Sequence, residues 1–379
     1  MITVSDLADW MESFAPRRLA EKWDNVGLLW GDPGDPVSRV MTCLTVTPRT
    51  ADEAIGAGAE AIVSHHPILF KPIKSLRADQ PESGMLWRLA RAGVAVLSPH
   101  TAFDTTRGGI NDGLAARLGL REVEPLRLAA PAERCKVVAF VPREDREAVL
   151  LASFRAGAGE IGDYRECSFG SPGYGTFFGS DQTNPTRGER GQREQVREWR
   201  LEFVCPGPRV EVVVAAIRAA HSYEVPAIDV IPLTSGPPTD PGVGRTGRLE
   251  TAERLSGFAA RVAHLLDAPA TQFVGYPDRP VERVAICCGA GDDFLPDALR
   301  AGADVLLTGE ARFHRALEAE SHGIGLVLAG HHATERPGVE DLARRIAARF
   351  PTVNAWASRT EADPLRLVAP IVMPRPNAD

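Results

Sequence analysis

The sequence predicts an α/β protein: a discontinuous, two-halved α/β core domain with an inserted ferredoxin-like α+β domain. Three observations carry this. Strand and helix signals alternate over residues 40–118, as parallel βαβ units require. The order then changes to β-α-β-β-α-β over residues 135–233, the ferredoxin-like order. Alternation resumes from residue 255. The expected domains are residues 1–129 (first half of the core), 130–234 (insert) and 235–379 (linker and second half).

The elements follow in order. Leu7, Trp10, Met11 and Phe14 fall at i, i+3, i+4 and i+7, the spacing of an amphipathic helix. Residues 40–46, 59–64 and 94–98 read as strands, and 49–56, 84–92 and 109–118 as helices. In the insert, 135–141 is a strand, 144–154 a helix and 164–169 a short strand, followed by a glycine-rich stretch to Gly191. Residues 197–204 form a strand, 210–221 a helix and 227–233 a last strand. Pro, Gly and Thr dominate residues 234–247, which read as a linker. Beyond it, 255–266, 292–300, 311–321 and 337–350 read as helices, and 281–288, 304–308, 324–329 and 353–357 as strands. A local echo supports two similar halves: residues 57–65 read AGAEAIVSH and residues 301–309 read AGADVLLTG.

Composition narrows the function classes. The chain has 379 residues, 44% hydrophobic and 25% charged, which excludes wholesale disorder. No run approaches ~18 consecutive apolar residues, so no membrane span is expected. The N-terminus lacks the apolar core of a secretory signal, which points to the cytoplasm. A net charge of −7 lacks the electrostatic footprint of a nucleic-acid binder. Arg outnumbers Lys 39 to 4, which a codon bias explains most simply. Cys43, Cys135, Cys167, Cys205, Cys287 and Cys288 include no C-x-x-C pair and read as free, mostly buried thiols.

The histidines and carboxylates cluster at predicted strand ends. His65-His66-Pro67 follows residues 59–64. His100 and Asp104 follow 94–98. Glu310 and His314 follow 304–308, and His331, His332 and Glu335 follow 324–329. Ligands of open α/β sheets bind outside the carboxyl ends of strands. Imidazole and carboxylate together suit Zn, Fe, Mn, Co or Ni. His331 and Glu335, four apart, share a face if a helix begins after Gly330. His65 and His66 are adjacent and cannot easily share one tetrahedral centre. They can each serve one ion of a pair, with a carboxylate such as Glu335 between. Gly289-Ala290-Gly291 lacks the full G-x-G-x-x-G and any Walker lysine, and reads as a tight turn rather than a phosphate cradle.

The segments VSHHPILFKPIKSL, SPHTAFDTTRGGINDGLAARLGL, TGEARFHRALEAESHGIGLVLAGHHATERPGVEDLA and EKWDNVGLLWG resemble the NGG-interacting-factor-three-like family, also called GTP cyclohydrolase 1 type 2 homologues. GEIGDYRECSFGSPGYGTFF and HSYEVPAIDVIPL resemble the PII/CutA-like insert of its longer members. The resemblance implies a toroidal homohexamer with two divalent metal ions per chain. It implies His65, His66, Asp104, His331 and Glu335 as ligands, with Glu335 bridging. His100, Glu310 and His314 match positions near the centre, for proton transfer or ligand orientation. His332 stands where relatives commonly carry Tyr. Trp23-Asp24-Asn25 is expected to tether the N-terminal helix beside the site. Two functions follow: a metal-dependent hydrolase of a nucleotide or phosphorylated small molecule, or a non-enzymatic metal chaperone, sensor or regulatory hexamer.

Overall fold

The computed structural model describes residues 1–128, 134–162, 164–233 and 242–368, apart from the side chains of residues 81 and 82. The chain divides into two compact units, Met1–Ala129 with Asp240–Asp379, and Ala130–Thr239.

The first unit contains two main sheets. In one, Asn354–Ala357, Arg39–Cys43, Ala61–Ser64 and Ala95–Ser98 lie parallel in that order, and Gly27–Trp30 closes the edge antiparallel. In the other, Pro280–Cys287, Val305–Thr308 and Gly325–Leu328 are parallel. Antiparallel Gln272–Val274 borders one side, and Gly242–Arg254 then Arg121–Leu128 the other. The central strands Ala61–Ser64 and Val305–Thr308 are buried at every residue. Parallel sheets are covered on both faces, and these runs show why. Val40, Val63 and Leu97 pack on one face with Leu7 and Ile346, while Met41, Ile62 and Val96 pack on the other with Ala51 and Leu89. Val305 and Leu307 likewise share a cluster with Phe258, and Leu306 one with Leu295.

The halves exchange strands. Arg121–Leu128, from the first half of the chain, joins the second sheet, and Asn354–Ala357, near the end, joins the first. The sequence echo has a structural counterpart: Gly58 and Gly302 both turn at φ +65° before their strands.

Four expectations are corrected. Residues 242–247, read as linker, belong to the strand Gly242–Arg254, while residues 234–241 lie outside those described. The glycines there permit close approach of neighbouring backbone rather than flexibility. Gly244 has φ +66°, and a Cβ on it would stand 2.7 Å from the Ile286 carbonyl oxygen. Arg121–Leu128 was not foreseen as a strand at all. The short strand expected at 164–169 is instead Phe169–Phe178, hairpinned onto Arg193–Pro206 through part of the glycine-rich stretch. The helix expected from residue 337 starts at His331 and runs to Arg349, with Pro337 inside it. The proline forgoes one hydrogen bond without ending the helix.

In the second unit, Arg134–Pro142, Phe169–Phe178, Arg193–Pro206 and Ile228–Leu233 form one antiparallel sheet, ordered fourth, first, third, second. Helices Arg146–Arg155 and Val210–Ala220 complete the β-α-β-β-α-β order. Val137, Val141, Phe203, Val149, Val213 and Ile217 build its core. Among the described residues, no helix is long and apolar enough to cross a membrane.

Candidate metal centre

The strand ends of both halves of the first unit supply the site. Beyond Ser64 the backbone keeps pairing with its neighbour: His65 N–H donates to Cys43 O (2.9 Å) and His66 N–H to Leu44 O (2.8 Å). The Ser98 hydroxyl grips His65 O, and the Ser64 hydroxyl grips His66 O. Both imidazoles are thereby fixed by backbone rather than by a loop. His100 opens the helix His100–Thr105 with φ +30°, a conformation costly for a side-chain-bearing residue. Asp104 lies four residues on, on the same helical face. His331 and Glu335 stand on the first turns of His331–Arg349.

The inward geometry centres on Glu335. Its Oε1 is 3.7 Å from His65 Nε2, and its Oε2 is 3.2 Å from both His66 Nε2 and His331 Nε2. Asp104 Oδ1 is 3.6 Å from His65 Nε2 and accepts from the Cys288 thiol at 3.4 Å. Two donor groups result: His65, His66 and His100, and His66, His331 and Glu335, each with ligand atoms within 4.8 Å of one another.

The outward geometry fixes three of the rings. His66 Nδ1 shares a hydrogen bond with the Thr45 hydroxyl (2.7 Å), His100 Nδ1 with Asp24 (2.8 Å) and His331 Nδ1 with Glu310 (3.0 Å). In each ring the other nitrogen is left for the interior, the arrangement by which outer partners set a ligand's tautomer and orientation. His65 differs. It is 1% exposed, and neither of its ring nitrogens has a hydrogen-bond partner; Glu335 Oε2 is also buried without one. Buried polar atoms are rarely left so, and a cation among them resolves the deficit. The residues present therefore fit a metal.

The charges are interlocked. Burial opposes ionisation of Glu335, but the surrounding imidazoles outweigh it and hold the carboxyl well below its usual range. His331 is pushed up to about 9, chiefly by Glu335. Burial raises the Asp104 carboxyl, against the pull of His65. Burial lowers His66. Asp24 is driven down to about 2: its burial opposes this, and hydrogen bonds from His100 and Thr101 prevail.

Glycines let the backbone close around these groups. Gly289 has φ +62°, and a Cβ there would collide with the Glu335 carboxylate. The amides of Gly289 and Gly291 donate to the Thr334 and Thr308 hydroxyls, so two of the amides of this turn are satisfied within the protein. Glu310 reaches the centre only through His331. His314 is exposed on helix Phe313–Ser321, outside both donor groups. His332 Nε2 is buried without a partner, also outside them. Asp24 has a role the sequence reading missed: it holds His100 and Thr101 rather than the N-terminal helix. Its signal was only its place in Trp23-Asp24-Asn25.

The scaffold is a two-halved α/β unit with a buried His and carboxylate cluster at its strand ends that could hold a metal ion, and comparison gives its family. The family described as Duf34/NIF3 (NGG1p interacting factor 3) matches residues 2–364, and the chain belongs to that family. It is 36% identical, over 94% of its length and 96% of the relative's, to a "GTP cyclohydrolase 1 type 2 homolog" of Halalkalibacterium halodurans. A Mycobacterium tuberculosis protein of the same description is 38% identical over 92% of each chain. Among solved structures, a Bacillus cereus protein related to NIF3 is 35% identical, with a TM-score of 0.67 over 97% of this chain and 99% of that one. Staphylococcus aureus protein SA1388 is 27% identical, with a TM-score of 0.73 and the same coverage.

Proposed function

We propose that the chain binds two divalent metal ions and acts as a metal-dependent hydrolase on a nucleotide or phosphorylated small molecule. The ligands in this reading are His65, His66, Asp104, His331 and Glu335. One observation carries it: the two oxygens of Glu335 face different imidazoles, Oε1 toward His65 and Oε2 toward His66 and His331. A carboxylate so placed can serve two ions about 3.5–4 Å apart. Bound there, the ions would supply positive charge for polarising a substrate oxygen and for ionising water. The protein's own groups orient and move protons. His100, anchored through Nδ1 on Asp24, stands in the donor group of His65 and His66 and serves in this reading as the proton carrier, and Glu310 orients His331.

The names of the relatives support nucleotide-ring hydrolysis, and phosphoester hydrolysis would draw on the same donors. The strand order of the inserted unit supports the PII/CutA-like reading, and the family resemblance supports a homohexamer. The test is metal content per chain by elemental mass spectrometry, on protein purified without added metal, paired with turnover of GTP and a panel of phosphoesters. Two ions with turnover sustain the proposal. Two ions without any turnover move the chain to the chaperone or sensor reading, and no metal overturns the ligand set.

A further inference from the structure

Two large aromatic side chains stand exposed beside the metal donors. Trp23 is 61% exposed and Phe70 50%, with ring centroids 5.9 Å apart at 70°. Both meet His100 edge-on, at 6.1 and 6.5 Å. The His100 ring lies in turn 5.2 Å from that of His65 and 5.5 Å from that of His66. The aromatic surface is thus continuous with the candidate metal centre.

It is also built. The two residues after Trp23 are both anchored: Asp24 binds His100 and Thr101, and the Asn25 side-chain amide donates to Leu69 O at 2.6 Å. These anchors clamp the Trp23 backbone to the segment that carries Phe70, so the indole is held at the rim by its neighbours' hydrogen bonds. The same segment carries Lys71 and Lys74, both exposed, two of only four lysines in the chain.

We propose that Trp23 and Phe70 form a stacking subsite for the planar heterocycle of the substrate, with Lys71 and Lys74 as counter-charges for its anionic part. This rests on the metal-centre reading and specifies it: the substrate carries a flat heteroaromatic ring joined to phosphate. Aromatic side chains bind such rings through their π-faces with little demand for hydrogen bonding. A second protein chain seated on the same residues would cover the rim of the donor cluster, so a small planar ligand fits the placement better.

The experiment uses the full-length, metal-loaded protein and calorimetric titration with guanosine monophosphate and with ribose 5-phosphate, which lacks the base. The wild type should bind the nucleotide about tenfold or more tightly than the sugar phosphate. Trp23→Ala should abolish that preference while keeping sugar-phosphate affinity and metal content, and Trp23→Phe should restore most of it. The proposal is overturned if the wild type shows no preference, or if Trp23→Ala retains it. It is equally overturned if Trp23→Ala alters only the oligomeric state in sedimentation, which would make the aromatics a contact between copies. Protein that elemental analysis shows to hold no metal removes the underlying reading and this one with it, by a measurement independent of the titrations.

Discussion

Glu60 and Asp304 perform the same task at matching turns of the two core sheets. The Glu60 carboxylate accepts from the amides of Ser38 (3.0 Å) and Arg39 (2.7 Å), and the Asp304 carboxylate from those of Glu282 and Arg283 (both 2.9 Å). In each half the acid grips the neighbouring strand just ahead of the residues that pair in parallel with its own. Its own amide donates back, Glu60 to Arg39 O and Asp304 to Arg283 O. The repeated sequence at residues 57–65 and 301–309 is thus a repeated structural device. Replacing either acid with Ala strips an acceptor from two amides, and each variant should lose about 1–3 kcal/mol in denaturant unfolding.

Asp24 acts on the centre through His100. Asp24→Ala should weaken metal retention up to about 10-fold, because His100 shares a donor group with His65 and His66 and loses the partner that orients its ring. Asp24→Asn should lose less, because an amide oxygen still accepts from Nδ1–H. Competition against a chelator of known affinity measures both, and equal retention in all three proteins would remove Asp24 from the site.

Glu335→Ala should empty the centre while leaving the chain folded. The helix His331–Arg349 is held by Val339, Leu342 and Ile346 against the core, not by that carboxylate. Elemental analysis should show less than one ion per chain, with an unchanged far-ultraviolet circular dichroism spectrum. Two tightly held ions in this variant would mean that another group spans them.

The insert should be removable. Leu128 pairs directly with Gly242, so residues 129–241 leave and re-enter the core across adjacent antiparallel strands. Replacing them with a two-residue Asn-Gly turn closes an ordinary hairpin. The shortened chain should be soluble, should melt cooperatively and should keep its metal. Aggregation of this variant would show that the core depends on the insert.

Glu53 makes part of the stability acid-sensitive. It accepts hydrogen bonds from Ser358 Oγ (2.6 Å), Thr360 Oγ1 (2.7 Å) and the amides of Arg359 (2.8 Å) and Thr360 (3.1 Å). Burial opposes its ionisation, but these donors prevail and lower its pKa below that of a free glutamate side chain. Its contribution is therefore complete above that value and is lost as pH falls through the lower, folded value. Between pH 5 and pH 3 the melting temperature of Glu53→Gln should fall less than that of the wild type. Parallel declines would show that this carboxylate is not linked to folding.

The parts of the fold that were legible in sequence are those with one dominant signal. Ala61–Ser64 and Val305–Thr308 are short apolar runs preceded by glycine turns, and the donors sit just beyond strands of this kind. The pairing of His331 with Glu335 followed from their spacing alone. Other features depend on contacts between residues distant in the chain. Residues 242–247 looked like a linker because their glycines serve close backbone approach, and Arg245 among them is buried because Asp112, with Nε–Oδ1 at 2.6 Å, and the carbonyls of Thr106, Gly242 and Gly244 meet it. Arg121–Leu128 carries Pro125 and charged residues that suit only an edge position. Asp24 lies far from His100 in sequence, and no local pattern announces their pairing. A helix after Gly330 was one option in the sequence, but Pro337, which favours first turns, drew the assigned start to itself and in fact falls two turns in.

The exchanged strands bear on how the candidate metal centre holds its shape. His65, His66, His100 and Asp104 come from one half, and His331 and Glu335 from the other, so the donors straddle a seam. Each half has a strand stitched into the sheet across that seam. Parting the donors by a hinge would tear two strands from their ladders at once, so the seam opens only when the whole core unravels. Slow amide hydrogen exchange in Asn354–Ala357, matching that of the central strands, would be the signature of such a sutured site. Metal exchange in this protein would then proceed through movements of side chains at the rim, with the frame behind them standing still.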